Sequence, residues 1–404
     1  MSIGITFWIG ILILYLNYCI IKTDSLFKDG KIMKKLGFGL MRLPRLDPND
    51  PSSIDLEQMK AMVDLFIESG FTYFDTAWMY MRFNSEKAVK TALTSRHPRD
   101  TFTLATKFHA AFADKKEDVA RIFNEQLDKT GAEFFDYYLF HDLSRENYKK
   151  CGELGAFETI SAMKEKGLIK SLGCSFHDTP EYLDKVLTEH PELEFVQLQI
   201  NYLDWDSPAI RARECYETAR RHNKPVIVME PVKGGTLAKL PEDAEAKMKA
   251  YRPGDSSAVW ALRFAASLEG VTAVLSGMSN LEQLKENISC FDDLKPIDSE
   301  DENLLKYAVD SLNANPFIPC TACSYCVDGC PMNIPIPKYF SLYNADRKEV
   351  EGKGWTPQRE YYDNLTAEHG AAGECIECGQ CEGICPQHLK VIKSLKEVAE
   401  YFGK

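Results

Sequence analysis

The sequence predicts an α/β chain, a (β/α)8 TIM barrel followed by a small α-helical domain. Three observations carry that reading. Eight short runs rich in β-branched and aromatic residues recur between Leu36 and Gly277, with amphipathic stretches between them. No glycine-rich dinucleotide loop follows an early run, which disfavours a doubly wound sheet, the runner-up for such alternation. Beyond the last run the composition changes, and eight cysteines gather in two short repeats.

The chain has 404 residues, 45% of them hydrophobic, and a net charge of −12. That is enough for one large domain and a small one. The acidic balance argues against nucleic acid, whose phosphates select basic surfaces. The first stretch, Ser2 to Ile21, carries no charge. At helical rise such a run spans about 30 Å, the hydrocarbon thickness of a bilayer. Residues 1–22 therefore read as a candidate membrane-spanning segment. Lys22, Lys28, Lys31, Lys34 and Lys35 follow it, which places the body in the cytoplasm by the positive-inside rule, tethered to the membrane by residues 2–21. The competing reading starts the protein at Met33 and makes the prefix irrelevant.

Residues 34–290 are the expected barrel. Its strands are LGFGLMRL from Leu36, FTYFDT from Phe71, FTLATK from Phe102 and DYYLFH from Asp136. IKSLGCS from Ile169, FVQLQI from Phe195, PVIVME from Pro225 and VTAVLSG from Val271 complete the set. The intervening DLEQMKAMVDLFIESG has a helical apolar period and stops at Gly70. KKEDVARIFNEQLDKTG does the same and stops at Gly131. In a barrel, chemistry sits at the C-terminal strand ends. There Asp75 closes the second strand and Tyr80 follows in its loop, Lys107 closes the third, and His141 closes the fourth. Each alone has a plain structural explanation, such as a cap, a packed ring, a snorkelling amine or a core histidine. Their recurrence at successive strand ends favours a catalytic set.

Residues 291–404 carry the cysteines. CTACSYCVDGCP from Cys320 and CIECGQCEGICP from Cys375 both read C-x2-C-x2-C-x3-C-P. This is the spacing that holds 4Fe–4S clusters in bacterial-type ferredoxins, where the fourth cysteine crosses to the other cluster. Cys320, Cys323, Cys326 and Cys385 are thus expected on one cluster, and Cys375, Cys378, Cys381 and Cys330 on the second. Zinc has no use for the third cysteine or the proline, and disulfides suit small secreted chains. The long gap between the runs holds IPKYFSLYNADRKEVEGK, and VIKSLKEVAEYF follows the second run with helical period. The module therefore reads as a small α-helical ferredoxin-like domain. Cys19, Cys151, Cys174, Cys215 and Cys290 show no pairing pattern, consistent with a reducing cytoplasm.

The motifs FDTAWMY, LATK, YLFHDL and GLIKSLGCSF resemble those of the aldo/keto reductase family, and the C-terminal runs resemble its branch with an iron–sulfur module. The resemblance covers Lys34 to Ile288. It implies NAD(P)H-linked reduction of a small-molecule carbonyl, or the reverse, with Asp75, Tyr80, Lys107 and His141 as the catalytic tetrad. Tyr80 would be the general acid, with Lys107 lowering its pKa, Asp75 holding the ammonium and His141 orienting the carbonyl. It further implies that Ser175 and Gln197 hold the nicotinamide carboxamide, with Gly277, Ser279, Gln283 and Asn287 around the adenosine. Phe176 and Met229 depart from the family pattern, and Gly277 and Gln283 replace basic residues that some members use, which leaves NADP or NAD open. The clusters imply a ferredoxin-like or other redox partner. The alternative is an electron-transfer protein whose barrel is no longer an active reductase.

Overall fold

A computed structural model describes residues 27–28, 31–32, 34–348 and 355–403. The uncharged segment Ser2 to Ile21 lies outside the described residues. Among those described, no helix is long and apolar enough to cross a membrane.

Eight strands close into a barrel: β1 Leu36–Gly39, β2 Tyr73–Asp75, β3 Thr103–Phe108, β4 Phe135–Phe140, β5 Ile169–Phe176, β6 Phe195–Gln199, β7 Val226–Met229 and β8 Val271–Ser276. All neighbours are parallel, and β8 returns to pair with both β7 and β1. Each expected run holds one strand. One helix after each strand is, in order, α1 Leu56–Glu68, α2 Ser85–Val89, α3 Lys116–Thr130, α4 Ala156–Glu165, α5 Pro180–Glu189, α6 Ala212–Arg221, α7 Ser257–Ser267 and α8 Leu281–Asp292; shorter or additional helices include Arg145–Glu153 and Glu242–Tyr251.

Local chemistry explains the boundaries. The Asp55 side chain accepts from the Gln58 N–H (3.0 Å) to cap α1. Gly131 ends α3 in the left-handed region (φ 65°), where a β-carbon would be strained. Between strands and helices, Phe38, Phe66, Phe71 and Phe74 form a fully buried aromatic cluster. Burying each such ring contributes about 1.5–3 kcal/mol. Inside the barrel, Tyr73, Leu139, Phe195, Ile227 and Ala273 fill the lumen. Gly173 on β5 admits the neighbouring strand, because a β-carbon there would lie 2.6 Å from the Phe195 carbonyl oxygen.

Helix α9, Ser299–Asn313, lies against the helix Glu242–Tyr251 through Leu304, Leu305 and Ala308. Its buried Asp301 is held by Arg252 (2.6 Å). The helices of the cysteine-bearing module are α10 Ile336–Asp346, α11 Pro357–Thr366, α12 Gln380–Ile384 and α13 Val391–Phe402. They pack around Tyr339, Phe340, Tyr362, Leu395 and Val398, and Ile210 and Ala212 of the barrel join that core. The cysteine-bearing module is thereby seated on the barrel. Asn364 Nδ2 of α11 donates to the His177 carbonyl just after β5 (2.9 Å), and Arg145 after β4 pairs with Glu368.

Candidate functional site

The strand ends converge as barrel geometry requires. Asp75 is the last residue of β2, and Lys107 points across from β3 with no exposed side-chain surface. The Lys107 ammonium donates to the Asp75 carboxylate, to the Thr76 carbonyl (2.9 Å) and to the Tyr80 hydroxyl (3.4 Å). Tyr80 opens a one-turn helix in which Met81, Arg82 and Phe83 all have positive φ. His141 follows β4, its ring centroid 5.8 Å from that of Tyr80 and nearly perpendicular to it. Behind them, the Thr76 and Ser85 hydroxyls share a hydrogen bond (2.8 Å), and Glu86 accepts from Thr106 (2.8 Å) and Gln126 (2.8 Å). These buried links fix the loop that carries Tyr80 against β3.

The electrostatics differ from the expectation at one point. Burial raises the Tyr80 pKa, and the nearby Lys107 charge only partly offsets it, so the phenol stands above its ordinary value. Lys107 does not depress it below 10, because desolvation outweighs one ammonium at 3.4 Å. The phenol is accordingly protonated throughout the neutral range, which suits a proton donor. Burial opposes the charge on Lys107, but the attraction of Asp75 overcomes it and holds the ammonium protonated. Burial drives His141 well below the usual imidazole pKa, with His109, Lys107 and His177 adding to the effect. His141 is thus neutral, and its buried Nδ1 has no hydrogen-bond partner among the described residues.

A cavity of about 1290 Å³ opens at this end of the barrel, lined by Asp75, Tyr80 and His141. Gln197 also lines it and donates to Asp75 Oδ2 (3.1 Å). Ser175, one residue from the end of β5, is buried and its Oγ accepts from the Asp142 N–H (2.8 Å). It is not among the residues that line the cavity. Gly277, Ser279, Gln283 and Asn287 line the opposite rim, where β8 meets α8. There Gln283 Oε1 accepts from the Ser279 N–H (2.7 Å), and Asn287 Nδ2 donates to Ser276 Oγ (2.9 Å). A β-carbon at Gly277 would press on Arg42 at 3.2 Å, so this wall stays open only to a small residue. The cavity's volume, with polar groups at Gln197 and at the β8–α8 rim, leaves room for a dinucleotide. Met229 contributes part of the wall, whereas Phe176 is turned into the core against Tyr182.

In the module, Cys320, Cys323, Cys326 and Cys385 line one small pocket with Phe340 and Leu389. Cys330, Cys375, Cys378 and Cys381 line another with Ile334 and Leu395. Among the described residues, no three His, Cys, Asp or Glu side chains stand close enough to share a single metal ion. A lone zinc would draw four sulfurs to about 2.3 Å of one centre. Four cysteines on each apolar-walled pocket, in two matched runs, fit the ligand set of an iron–sulfur cluster. Cys323 and Cys378 are exposed, one on each quartet.

Several residues in the cavity wall were not singled out from the sequence. His109 lies two residues past Lys107, with its ring 5.4 Å from His141, and burial takes its pKa down to about 4. His177 follows Phe176; it stacks edge-on to Trp355 and Tyr361 (6.0 Å each), and burial likewise takes it to about 4. Both histidines come directly after the last residue of a strand, which was the available signal. Trp355, Glu360 and Asn364, from the module, also line the cavity. Nothing local marks them, since their position comes from how α11 lies on the barrel.

The comparisons with known proteins agree with this architecture. The sequence pattern described as the aldo/keto reductase family matches residues 35–309, and that described as a 4Fe–4S dicluster domain matches residues 319–390. An uncharacterized oxidoreductase of Bacillus subtilis is 25% identical over 274 residues, spanning 58% of this chain and 83% of its own. An aldo-keto reductase of Mycobacterium avium is 26% identical over 289 residues, spanning 69% of this chain and 87% of its own. Among solved structures, an aldo-keto reductase from Klebsiella pneumoniae in complex with NADPH superposes with a TM-score of 0.56 at 20% identity, over 70% of this chain and 93% of its own. With a closed eight-stranded barrel, buried polar groups at its strand ends and a family match over more than half its length, the chain belongs to the aldo/keto reductase family of oxidoreductases, with a 4Fe–4S domain at its C-terminal end.

Proposed function

We propose that the barrel catalyses NAD(P)H-linked reduction of a small-molecule aldehyde or ketone, or the reverse. We further propose that two 4Fe–4S clusters in the module exchange electrons with a ferredoxin-like or other redox partner. The observation that carries the first part is Lys107, fully buried and bound at once to Asp75 and to the Tyr80 hydroxyl beside the neutral His141. Gln197, Gly277, Ser279, Gln283 and Asn287 would hold the dinucleotide along the cavity, and Ser175, whose Oγ accepts from the Asp142 amide, would keep its hydroxyl proton to donate. The NADPH in the Klebsiella structure supports NADP as the cofactor. A reduced nicotinamide bound there supplies the hydride.

The chain's own groups handle the oxygen. As negative charge develops on the carbonyl oxygen, Tyr80 Oη gives up its proton to form the alcohol. Lys107 stabilises the resulting phenolate, and Asp75 keeps that ammonium charged and in place. Neutral His141 donates a hydrogen bond to the same oxygen, which requires the tautomer with the proton on the nitrogen facing the cavity. The reverse reaction uses the same groups with the proton returning to Tyr80.

Cys320, Cys323, Cys326 and Cys385 would hold one cluster and Cys375, Cys378, Cys381 and Cys330 the other, supported by their grouping on two pockets. A cluster takes up or releases one electron at a time. Anaerobic purification, iron and sulfide analysis and titration with NADPH and NADH test the whole reading. The expected result is about eight iron atoms per chain, saturable cofactor binding and turnover of an aldehyde panel. A chain that binds neither cofactor and reduces no aldehyde refutes the enzymatic part.

A further inference from the structure

The cavity has a second chemical feature, at the end covered by the module. Asp142, directly after His141, holds a positive φ (47°) and is only 6% exposed. Asn147 Nδ2 donates to its Oδ2 (3.2 Å), and among the described residues its buried Oδ1 meets no donor apart from a proton shared with the neighbouring carboxyl. The group beside it is another carboxyl, Glu360 of α11, whose own donor is the Trp355 indole N–H (3.4 Å). Asp142, Glu360 and Trp355 all line the cavity. The cations of the cavity wall are already engaged. Arg42 pairs with Glu230 (3.1 Å), Lys233 with Asp204 (2.7 Å), and Arg145 with Asp178 (3.2 Å) and Glu368. None of these cations forms an ion pair with Asp142 or Glu360 among the described residues.

Two facing carboxyl groups in a recess are stable only if a proton or an external positive charge sits with them. Burial pushes both above the ordinary carboxylate range; Glu360 drives Asp142 far above it, while Asp363 and Glu146 add to the rise of Glu360 and its hydrogen bond with Asp142 opposes it. The adjacent Trp355 is 55% exposed and offers an aromatic face of the kind that attracts a cation. Asp142 is the next residue after His141, so the two Cα atoms are about 3.8 Å apart. A substrate with its carbonyl at His141 needs only a short arm to reach the pair.

We propose that the substrate of this cavity carries a positively charged nitrogen a few bonds from its carbonyl, and that Asp142 and Glu360, with Trp355 from the iron–sulfur module, select it. This rests on the proposed reductase reading for where the carbonyl lies. The module is then a wall of the substrate pocket as well as a carrier of clusters, and barrel and module each contribute one carboxyl group to the selection. An anionic carbonyl compound is disfavoured at the same place, since no free cation of the wall would meet it.

The test separates binding from turnover by using isosteres. Choline and its neutral isostere 3,3-dimethylbutan-1-ol are titrated into the full, cofactor-loaded chain, followed by tryptophan fluorescence. The expected result is at least a tenfold preference for choline, falling to within about twofold in Glu360→Gln. Trimethylammonioacetaldehyde and 3,3-dimethylbutanal are then compared as substrates, and the same preference is expected in kcat/KM. Equal binding of the two alcohols by the wild-type chain, or an unchanged preference in a folded Glu360→Gln protein, overturns the inference. Should Glu360→Gln fail to fold, Trp355→Ala serves in its place and should lower the preference at least threefold. Preferential choline binding without turnover of either aldehyde supports the cation site and counts against the reductase reading, so the two fail separately.

Discussion

Replacing Tyr80 with Phe removes a single hydroxyl from the centre of the strand-end constellation. Lys107 keeps its bonds to Asp75 and to the Thr76 carbonyl (2.9 Å), and loses only the weaker one to Tyr80 (3.4 Å). The cost to folding is therefore about 1 kcal/mol or less, the usual net value of a hydrogen bond that leaves no unpaired buried group. The ring stays, so its packing against His141 and the cavity wall is retained. What is lost is the proton donor. Positioned acids contribute about 100- to 10,000-fold, or roughly 2.7–5.5 kcal/mol of barrier at 1.36 kcal/mol per decade. The cavity is wide enough for water to reach the carbonyl oxygen, which points to the lower end, a loss of about 100-fold or somewhat more. Single-turnover oxidation of NADPH with a model aldehyde measures the step directly, and cofactor fluorescence measures binding on the same sample. Full or near-full activity in Tyr80→Phe, with unchanged cofactor affinity, would refute the assignment of the proton to Tyr80.

Three further outcomes are expected. Cys378→Ser should damage one cluster while aldehyde reduction survives, because the module's seat on the barrel rests on Tyr339, Tyr362 and Ile210 and not on that exposed thiol. Electron exchange with a one-electron donor should fall sharply, and loss of both activities in a folded, cofactor-binding variant would tie the clusters to the barrel's own chemistry. His177 is buried and His109 half-buried, each with a pKa of about 4, so the native state binds fewer protons than the unfolded chain between pH 6.5 and 4. Their contribution is present above pH 6.5 and lost as the pH falls toward 4, by up to about 3 kcal/mol for each ring. Thermal unfolding followed across that window should show the decline, and His177→Gln should flatten it; a melting temperature that is constant from pH 7 to 4.5 contradicts the argument. Gly173→Ala places a methyl group 2.6 Å from the Phe195 carbonyl oxygen, so β5 and β6 must part, at a cost of about 1–3 kcal/mol that denaturant titration should register.

The barrel was legible because its signals are local. Each of the eight runs is apolar enough to be a buried parallel strand, and Asp55, Gly70 and Gly131 mark helix ends by side-chain capping and positive φ. The paired cysteine runs are local too, since their spacing alone sets which sulfurs a short backbone segment can aim together. Asp75, Lys107 and His141 stood out as polar groups ending apolar runs. The sign of the Tyr80 shift was not legible, because it is the balance of burial against one ammonium, and burial is a property of the closed barrel. Nor was the role of Trp355, Glu360 and Asn364, which lie far along the chain from His141 and Asp142. Sequence by itself determined the strands, the helix ends and the two cysteine runs, where the physical cause lies within a few residues. Only the tertiary structure decided that the module covers the barrel mouth and sets one carboxyl group against another there, because that contact depends on a shared core of Ile210, Ala212, Tyr339 and Tyr362 that no local pattern encodes.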